Sequence, residues 1–411
     1  MAELTEHSYR QVLRDRRLAV LLGGDLVSSV GDGMAVVALP LLALRVRGGV
    51  DPALAIALIS AAPYVVAVAL SLLFGLGRRR FRPRQVLVVD CTTRFVVLTG
   101  VALLALTDML PLWTLGVALL VGSGLRLLAL SSRRLVATEL AGERGRFAVN
   151  GLLGTGDSLA TYVIGPALGG VLATAISPGF VLLLDGASFL GLLVVTVAVV
   201  PAIIGRATDP TATPTSGWAI LRRVPVVAWL LVIVFCFDLF YMPLEVALPL
   251  LVKGPLRATG TALGVIWTAF GVGALCGSLV TSLLRRLPRI ALLVSLIGGW
   301  GGTVVLLGFA PTTTAAAGMF ALGGLIYAPF TPIMYTFVQS KLRHDHQQPV
   351  LTLWSACVAV AAPVGLLLAG PLVALTDSRA SIVISGVLTL VLVPGAARSL
   401  RAARRSSRSR L

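Results

Sequence analysis

Long apolar runs, separated by short polar segments, fill most of the chain. Twelve of these runs are long enough to supply the roughly 20 apolar residues that a membrane-spanning helix needs. They cover approximately residues 18–44, 52–77, 86–107, 111–131, 148–175, 179–201, 225–251, 259–284, 290–310, 313–338, 350–376 and 379–397. The pattern predicts an all-α membrane protein with twelve transmembrane helices, called spans 1 to 12 below.

Composition and charge agree with a membrane protein. Of 411 residues, 57% are hydrophobic and only 12% are charged. If the N-terminus is cytoplasmic, most of the 34 Lys and Arg residues fall in cytoplasmic segments, as the positive-inside rule requires. The net charge of +17 therefore reflects topology and contact with anionic membrane lipids, with a specific binding partner as the alternative, and no nucleic-acid surface is predicted. Both termini are predicted to be cytoplasmic.

The chain contains an internal duplication. The sequence Val37–Leu42 recurs unchanged as Val246–Leu251, and the Gly165-Pro166 pair recurs as Gly370-Pro371. Because six spans precede the second copy, the two halves share one orientation, which is the plan of two parallel six-helix bundles. We therefore predict an N-terminal bundle, a cytoplasmic linker with a short helix near 218–223, a C-terminal bundle and a basic tail, over residues 1–201, 202–224, 225–398 and 399–411.

Four groups of residues carry a resemblance to a known family. They are Ser29–Asp32 with Ala38–Pro40, the basic turn Gly75–Arg84 followed by Asp90 and Arg94, Asn150 with Gly165–Gly170, and Leu184–Leu190. Together they resemble the major facilitator superfamily, in particular its bacterial branch of drug-, macrolide- and siderophore-exporter-like proteins. The resemblance implies two pseudo-symmetric six-helix bundles that transport a substrate by alternating access, with the substrate bound between the bundles near mid-membrane.

Two motifs of the family bear on gating. The turn between spans 2 and 3 begins at Gly75 and carries Arg79 and Arg80, with Arg79 where the family has an acidic residue. The resemblance implies that this motif helps to hold the cytoplasmic gate closed, and the departure at Arg79 bears on that role. After the turn, Asp90 and Arg94 are four residues apart, a spacing that predicts a local ion pair.

The second motif lies in span 5 and comprises Gly165, Pro166, Gly169 and Gly170. The resemblance implies a motif of exporters. On physical grounds, small residues allow close helix approach and proline loosens the helix where bundles must slide. Ordinary tight helix packing is the alternative interpretation.

The sequence offers little for enzymatic or nucleotide-driven chemistry. Neither of the two lysines, Lys253 and Lys341, follows a glycine as a nucleotide-binding Walker loop requires. The three histidines lie in segments predicted to be cytoplasmic, and the four cysteines lie singly within spans, so no metal, disulfide or cofactor site is predicted. We therefore predict a protein that is not an enzyme.

Ionisable residues within the spans indicate how transport could be driven. The predicted spans contain only two arginines, Arg94 and Arg126, but seven acidic residues. The acids are Asp25, Asp32, Asp90, Asp157, Asp185, Asp238 and Glu245. A charge inside a bilayer is costly, so the unpaired acids must protonate or face water. Because an apolar surrounding favours the protonated form of a carboxyl group, such acids can exchange protons as a cavity opens to either side.

Four acids are the leading proton or cation site. Asp25 and Asp32 are seven residues apart on one face of span 1, and Asp238 and Glu245 repeat this spacing on span 7. The resemblance implies that both spans line the cavity. Bracing of neighbouring helices is the alternative role. Asp157 in span 5 serves either as a proton relay or as one partner of a hydrogen bond between helices.

Candidate substrate-cavity residues are one cation and several aromatic side chains. Arg126 in span 4 could pair with an acid of span 1, exchange that partner with a proton or contact an anionic substrate. The aromatic candidates are Tyr241, Trp267, Tyr327, Phe330, Tyr335 and Trp354. Their alternative position faces the lipid or the membrane interface, where aromatic residues are enriched.

The sequence thus predicts a secondary active transporter that acts as a monomer in the cytoplasmic membrane. The expected activity is efflux of a small hydrophobic or amphipathic compound in exchange for protons or another cation. Uptake, or flipping of a lipid-like molecule, is the alternative on the same scaffold. A non-transporting receptor is the alternative of a different class, although it would not need duplicated bundles with so many intramembrane acids.

Overall fold

A computed structural model describes residues 8–76, 82–201, 217–284, 288–342 and 344–408. The residues it describes form sixteen α-helices and no strand. The helices are α1 (Tyr9–Arg14), α2 (Arg16–Val46), α3 (Pro52–Leu76), α4 (Pro83–Leu106), α5 (Leu112–Gly122), α6 (Arg126–Leu159), α7 (Gly165–Ala175), α8 (Pro178–Val199), α9 (Gly217–Arg223), α10 (Pro225–Lys253), α11 (Gly260–Leu284), α12 (Arg289–Gly308), α13 (Thr313–Tyr327), α14 (Phe330–Gln339), α15 (His344–Leu375) and α16 (Ser378–Arg408). A π-helical turn, Ala160–Ile164, joins α6 to α7.

The helices confirm the predicted all-α class and coincide with all twelve predicted spans. Among the described residues, ten stretches are long and apolar enough to cross a membrane. One of them, Leu112–Ala175, is 64 residues long and contains both span 4 and span 5. Span 2 corresponds to α3, which is apolar and, with 25 residues, also long enough to cross a membrane. The helices are therefore consistent with twelve crossings.

Side-chain caps fix several helix starts where the sequence places a polar residue before a proline or an apolar run. Asp51 accepts a hydrogen bond from the backbone N–H of Ala53 at 2.8 Å, and Ser177 accepts one from Phe180 at 3.1 Å. In both cases a proline follows the cap, at a position where its missing N–H costs no helical bond. Thr312 caps α13 in the same way.

Two predicted spans are interrupted at equivalent places. Span 4 breaks after Gly122, where residues 123–125 form a turn between α5 and α6. Span 10 breaks after Tyr327, where residues 328–329 separate α13 from α14. The first residues of the two breaks, Ser123 and Ala328, are 205 positions apart, the same offset that separates Gly165 from Gly370. The duplication therefore extends to the shape of these helices.

The chain divides into two compact units. The first comprises residues 1–50, 62–209 and 259–268, and the second comprises 51–61, 210–258 and 269–411. In the first unit, α8 packs extensively on α2 and α4; in the second, α16 packs on α10 and α12, and α15 packs on α10. The repeated segments Val37–Leu42 and Val246–Leu251 lie in α2 and α10, and most of their residues are buried, each within its own unit.

The predicted linker is described only in part. Residues 202–216 lie outside the described residues, whereas α9 occupies the place where the sequence predicts a short helix. Ile220 and Leu221 of α9 are buried, and the helix packs on α15 and α10 within the second unit. This part of the linker is therefore a packed element.

Candidate functional site

Five charged side chains from three helices form an ion-pair network inside the first unit. Asp25 and Asp32 come from α2, Asp90 and Arg94 from α4, and Arg133 from α6. Arg94 Nη1 lies 3.1 Å from Asp32 Oδ1, and Arg94 Nε lies 3.4 Å from Asp90 Oδ1. Arg133 Nη1 lies 3.0 Å from Asp25 Oδ1, and its Nη2 lies 4.0 Å from Asp90 Oδ2. The structure thus contains the Asp90–Arg94 pair that the spacing predicts.

The position of Arg133 corrects the sequence analysis, which places this residue in a cytoplasmic loop. It lies within the continuous helix α6, and only 11% of its side chain is exposed. The helix continues well past the predicted end of span 4 and turns sharply only at Gly142, where φ is +66°. Arg133 is therefore a third arginine that is largely buried among the helices, and it supplies a cation for Asp25.

Asp25 and Asp32 thus lie in ion pairs that tie α2 to α6 and to α4, the bracing alternative of the sequence analysis. Arg126 has a different environment. It is the first residue of α6, directly after the break in span 4, and its side chain is half-buried. Among the described residues it forms no ion pair, so a pair with an acid of span 1, one of the three roles considered for it, is not formed in this structure.

Phe189 of α8 organises the two guanidinium groups. Its ring centroid lies 4.7 Å from Cζ of Arg94 and 5.9 Å from Cζ of Arg133, within the range of cation–π attraction. The Phe189 side chain is fully buried. The ring therefore shields both arginines on one side, which strengthens their attraction to the carboxylates.

A small pocket borders the Asp25–Arg133 pair. Its walls are mainly leucine side chains, and its polar groups come from Asp25, Arg133 and Thr196. The Thr196 hydroxyl and Nε of Arg133 are buried and have no hydrogen-bond partner among the described residues. The pocket therefore combines apolar walls with three convergent polar groups and fits a small polar molecule such as water.

Asp157 links α6 to α2. Ser29 Oγ donates a hydrogen bond to Asp157 Oδ1 at 3.1 Å, and Thr161 Oγ1 lies 3.4 Å from the same oxygen. The helix-to-helix hydrogen bond that the sequence analysis considered for Asp157 is thus present.

The glycine motif of span 5 makes close backbone contacts within the first unit. A side chain on Gly165 would lie 2.6 Å from Cα of Gly33, and one on Gly169 would lie 2.6 Å from the carbonyl oxygen of Met34. Gly170 faces the backbone of Gly264, and a side chain on it would lie 2.9 Å from Cα of that residue. The motif therefore allows α7 to contact α2 and the start of α11 without intervening side chains, as close helix packing requires.

The acids of span 7 have a different setting from those of span 1. Asp238 and Glu245 are both half-buried on α10. Asp238 has neither an ion pair nor a hydrogen bond from its side chain among the described residues. Tyr241 and Met242, which lie between the two acids along the same stripe, are buried. The second unit thus contains a carboxyl group that no arginine in the described part of the chain neutralises.

Seven aromatic rings form a cluster in the second unit. They are Phe237, Tyr241, Phe270, Trp300, Phe320, Tyr327 and Phe330. The Trp300 ring lies at the centre, 5.7 Å from the ring of Tyr241 and 5.1 Å from that of Tyr327. A second contact joins Tyr335 to Trp354, with ring centroids 5.9 Å apart.

The aromatic contacts correct one alternative of the sequence analysis. A position facing lipid or the membrane interface is wrong for Tyr241, Trp267, Phe330 and Trp354, because all four are buried in the protein. Tyr327 and Tyr335 are half-buried. Periodicity alone could not distinguish an interior aromatic residue from a lipid-facing one, because both environments are apolar.

Parts of the gating motif are not described. Arg79 and Arg80 lie outside the described residues, and Gly75 lies near the end of α3. In the parts of the chain that the structure describes, no group of three or more His, Cys, Asp or Glu residues could hold a metal ion.

Comparison with known proteins identifies the family. The family model of the Major Facilitator Superfamily matches residues 21–340 and again residues 230–410. The chain belongs to the major facilitator superfamily. This confirms the predicted resemblance, and the chain is therefore a multi-pass membrane transporter and not an enzyme.

Relatives and solved structures support this assignment over nearly the whole chain. The multidrug efflux pump Tap of Mycolicibacterium fortuitum is 26% identical over 382 residues, which cover 86% of this chain and 88% of that protein. Tap of Mycobacterium tuberculosis H37Rv is 24% identical over 367 residues, 86% of each chain. The nucleoside transporter NupG superimposes with a TM-score of 0.77 at 13% identity, covering 94% and 99% of the two chains. A bacterial homologue of the iron transporter ferroportin gives 0.68 at 18% identity, covering 92% and 98%. At these identities, the solved structures show the fold alone.

Proposed function

We propose that the protein exports small hydrophobic or amphipathic compounds in exchange for protons by alternating access. The observation that carries this proposal is the similarity to multidrug efflux pumps over 86% of the chain. Drug export also fits the motif of span 5, where Gly165 and Gly169 contact α2 directly. Uptake and lipid flipping are the alternatives on the same scaffold, and the vesicle assay described below tests the direction of transport.

Proton coupling is supported by the ionisable groups within the spans. Among the described residues, Asp238 has no cationic partner, and three acids share the guanidinium groups of Arg94 and Arg133. A carboxyl group without a cation is stable in an apolar setting when it binds a proton. Such groups can therefore carry protons in one direction while substrate moves in the other. A proton gradient is also the expected energy source because no nucleotide-binding loop occurs in the sequence.

The protein is proposed to act as a monomer in the cytoplasmic membrane with both termini inside. The distribution of Lys and Arg supports this topology. The basic cytoplasmic segments and the tail 399–411 would contact anionic lipid headgroups.

Transport in inverted membrane vesicles tests direction and coupling together. Vesicles that contain the protein should accumulate ethidium, a fluorescent amphipathic cation, when their interior is made acidic, because protons then leave the vesicle as the dye enters. A protonophore should abolish the accumulation, whereas a sodium gradient alone should not drive it. Gradient-independent movement, or depletion of the dye from inverted vesicles, would contradict proton-driven export. A panel of neutral and anionic compounds then defines the range of substrates.

A further inference from the structure

Asp185 is a fourth acid that adjoins the ion-pair network. It lies two turns into α8, and its side chain is nearly inaccessible, with 2% of the residue exposed. Its carboxyl group abuts α2 at Gly31, where any side chain would collide with Asp185 Oδ1. Asp32 directly follows Gly31 on α2, and its charge acts on the Asp185 carboxyl group. A fourth helix, α8, therefore contributes an acid beside the network.

Within the described residues, Asp185 has no cation to neutralise it. Arg94 is already bonded to Asp32 and Asp90, and Arg133 is bonded to Asp25 and lies 4.0 Å from Asp90. No ion pair reaches Asp185, and its Oδ1 accepts no hydrogen bond. The hydroxyl of Ser188, which lies next to this carboxyl group, donates to the backbone carbonyl oxygen of Asp185 at 2.6 Å.

The charges around Asp185 come from three helices packed against α8 or joined to the network. They are Asp32 on α2, Asp90 and Arg94 on α4, and Arg126 and Arg133 on α6. Helix α7, which also packs on α8, carries no ionisable residue. A fourth ionised carboxylate would therefore lie beside Asp32, with no guanidinium group in ion-pair contact. An uncompensated buried charge of this kind is strongly destabilising.

We infer that Asp185 is protonated and neutral in this conformation and that it is a proton carrier of the transport cycle. Arg94 lies over the ring of Phe189, one helical turn beyond Asp185 on α8. When the transport cycle opens this cluster to water, the carboxyl group would release its proton to water, and the carboxylate would then be hydrated. One proton is bound in one conformation and released in the other.

Infrared spectroscopy of the full-length protein in lipid nanodiscs tests the protonation directly, without any substrate. At neutral pH the wild-type protein should absorb at the C=O stretch of protonated carboxyl groups, and Asp185→Asn should lose the contribution of one such group while that of Asp238 remains. The Asp32→Asn variant is the matched control. It should lose carboxylate absorption instead, because Asp32 is ion-paired. If Asp185→Asn also loses only carboxylate absorption, the inference is wrong.

A second variant covers the case in which Asp185→Asn does not fold. Asp185→Glu keeps the carboxyl group and should retain the protonated C=O absorption at a shifted frequency. An unshifted frequency would assign the absorption to another acid and overturn the inference.

The coupling role rests on the proton-driven export proposed above, whereas the protonation of Asp185 does not. In inverted vesicles, Asp185→Asn should lose ethidium accumulation driven by the proton gradient while ethidium binding to the purified protein is retained. Gradient-driven accumulation equal to wild type would refute Asp185 as a carrier. If the wild-type protein itself shows no gradient-driven accumulation, the proposed function fails, but the infrared result still decides the protonation.

Discussion

Arg133 Nη1 lies 3.0 Å from Asp25 Oδ1, with 11% and 16% of the two side chains exposed. This pair joins α6 to α2 beside the small pocket and anchors one end of the ion-pair network. An acid that the sequence presents as an unpaired intramembrane carboxylate is therefore part of a helix-to-helix contact.

Replacement of Arg133 should destabilise the first unit. In Arg133→Gln the carboxylate of Asp25 loses its partner, and removal of one member of a buried pair costs about 3 kcal/mol. The loss should appear as a lower unfolding temperature in detergent or nanodiscs. Arg134→Gln is the matched control, because Arg134 is exposed on the same helix. The double variant Asp25→Asn/Arg133→Gln should recover part of the loss, and equal stability of Arg133→Gln and Arg134→Gln would argue against a buried pair.

Two substitutions of Asp157 should separate its two candidate roles. Asn keeps an oxygen that can accept the hydrogen bond from Ser29, whereas Leu does not. If the bond between helices is the main role, Asp157→Asn should transport ethidium at the wild-type rate. Asp157→Leu should be less stable by about 0.6 kcal/mol, the average for hydrogen bonds between membrane helices. Loss of gradient-driven transport in Asp157→Asn at normal expression would favour the proton relay.

A methyl group on Gly165 should disturb the contact between α7 and α2. Its Cβ would lie 2.6 Å from Cα of Gly33, so one backbone must move. Overpacking of this kind costs about 1–3 kcal/mol. The unfolding temperature of Gly165→Ala should therefore fall. Gly154→Ala should not lower it, because a Cβ at Gly154 meets no atom within 4 Å. A stable Gly165→Ala variant would show that the helices can separate without cost.

Removal of the Asp238 charge should uncouple transport and leave the fold intact. Among the described residues Asp238 has no ion-pair partner, so Asp238→Asn strands no buried cation. We expect normal expression and stability together with loss of ethidium accumulation driven by the proton gradient. Asp108→Asn is the control, because Asp108 is an exposed acid paired with Arg45 at the surface. Normal accumulation in Asp238→Asn would exclude Asp238 from proton coupling.

The helices could be predicted almost completely from the sequence because twelve long apolar runs leave few alternatives in a bilayer. The partners of the buried acids could not. Arg133 follows Arg126 by seven residues, the same spacing that places Asp25 and Asp32 on one face of span 1. That spacing could have revealed Arg133. However, polar residues around it obscured the fact that α6 continues beyond the apolar run.

The environment of Asp185 also depends on tertiary structure. The sequence shows that it is an acid within a span, but its isolation results from Gly31, which is distant in sequence and lets α8 approach α2. The aromatic cluster is a similar case, since Trp300 and Tyr241 come from different helices and meet only after packing. The rotation of each helix about its own axis decides which buried groups are in contact. The hydropathy of the sequence does not determine that rotation.

The paired interruptions of spans 4 and 10 have a practical consequence for engineering. Although they occupy equivalent places, one contains Gly124 and the other Pro329, which has no N–H to donate. Each joint therefore depends on its own local chemistry and can be stiffened separately, by Gly124→Ala in one copy or Pro329→Ala in the other. A transporter locked at a single joint would be a defined target for trapping one stage of its working cycle.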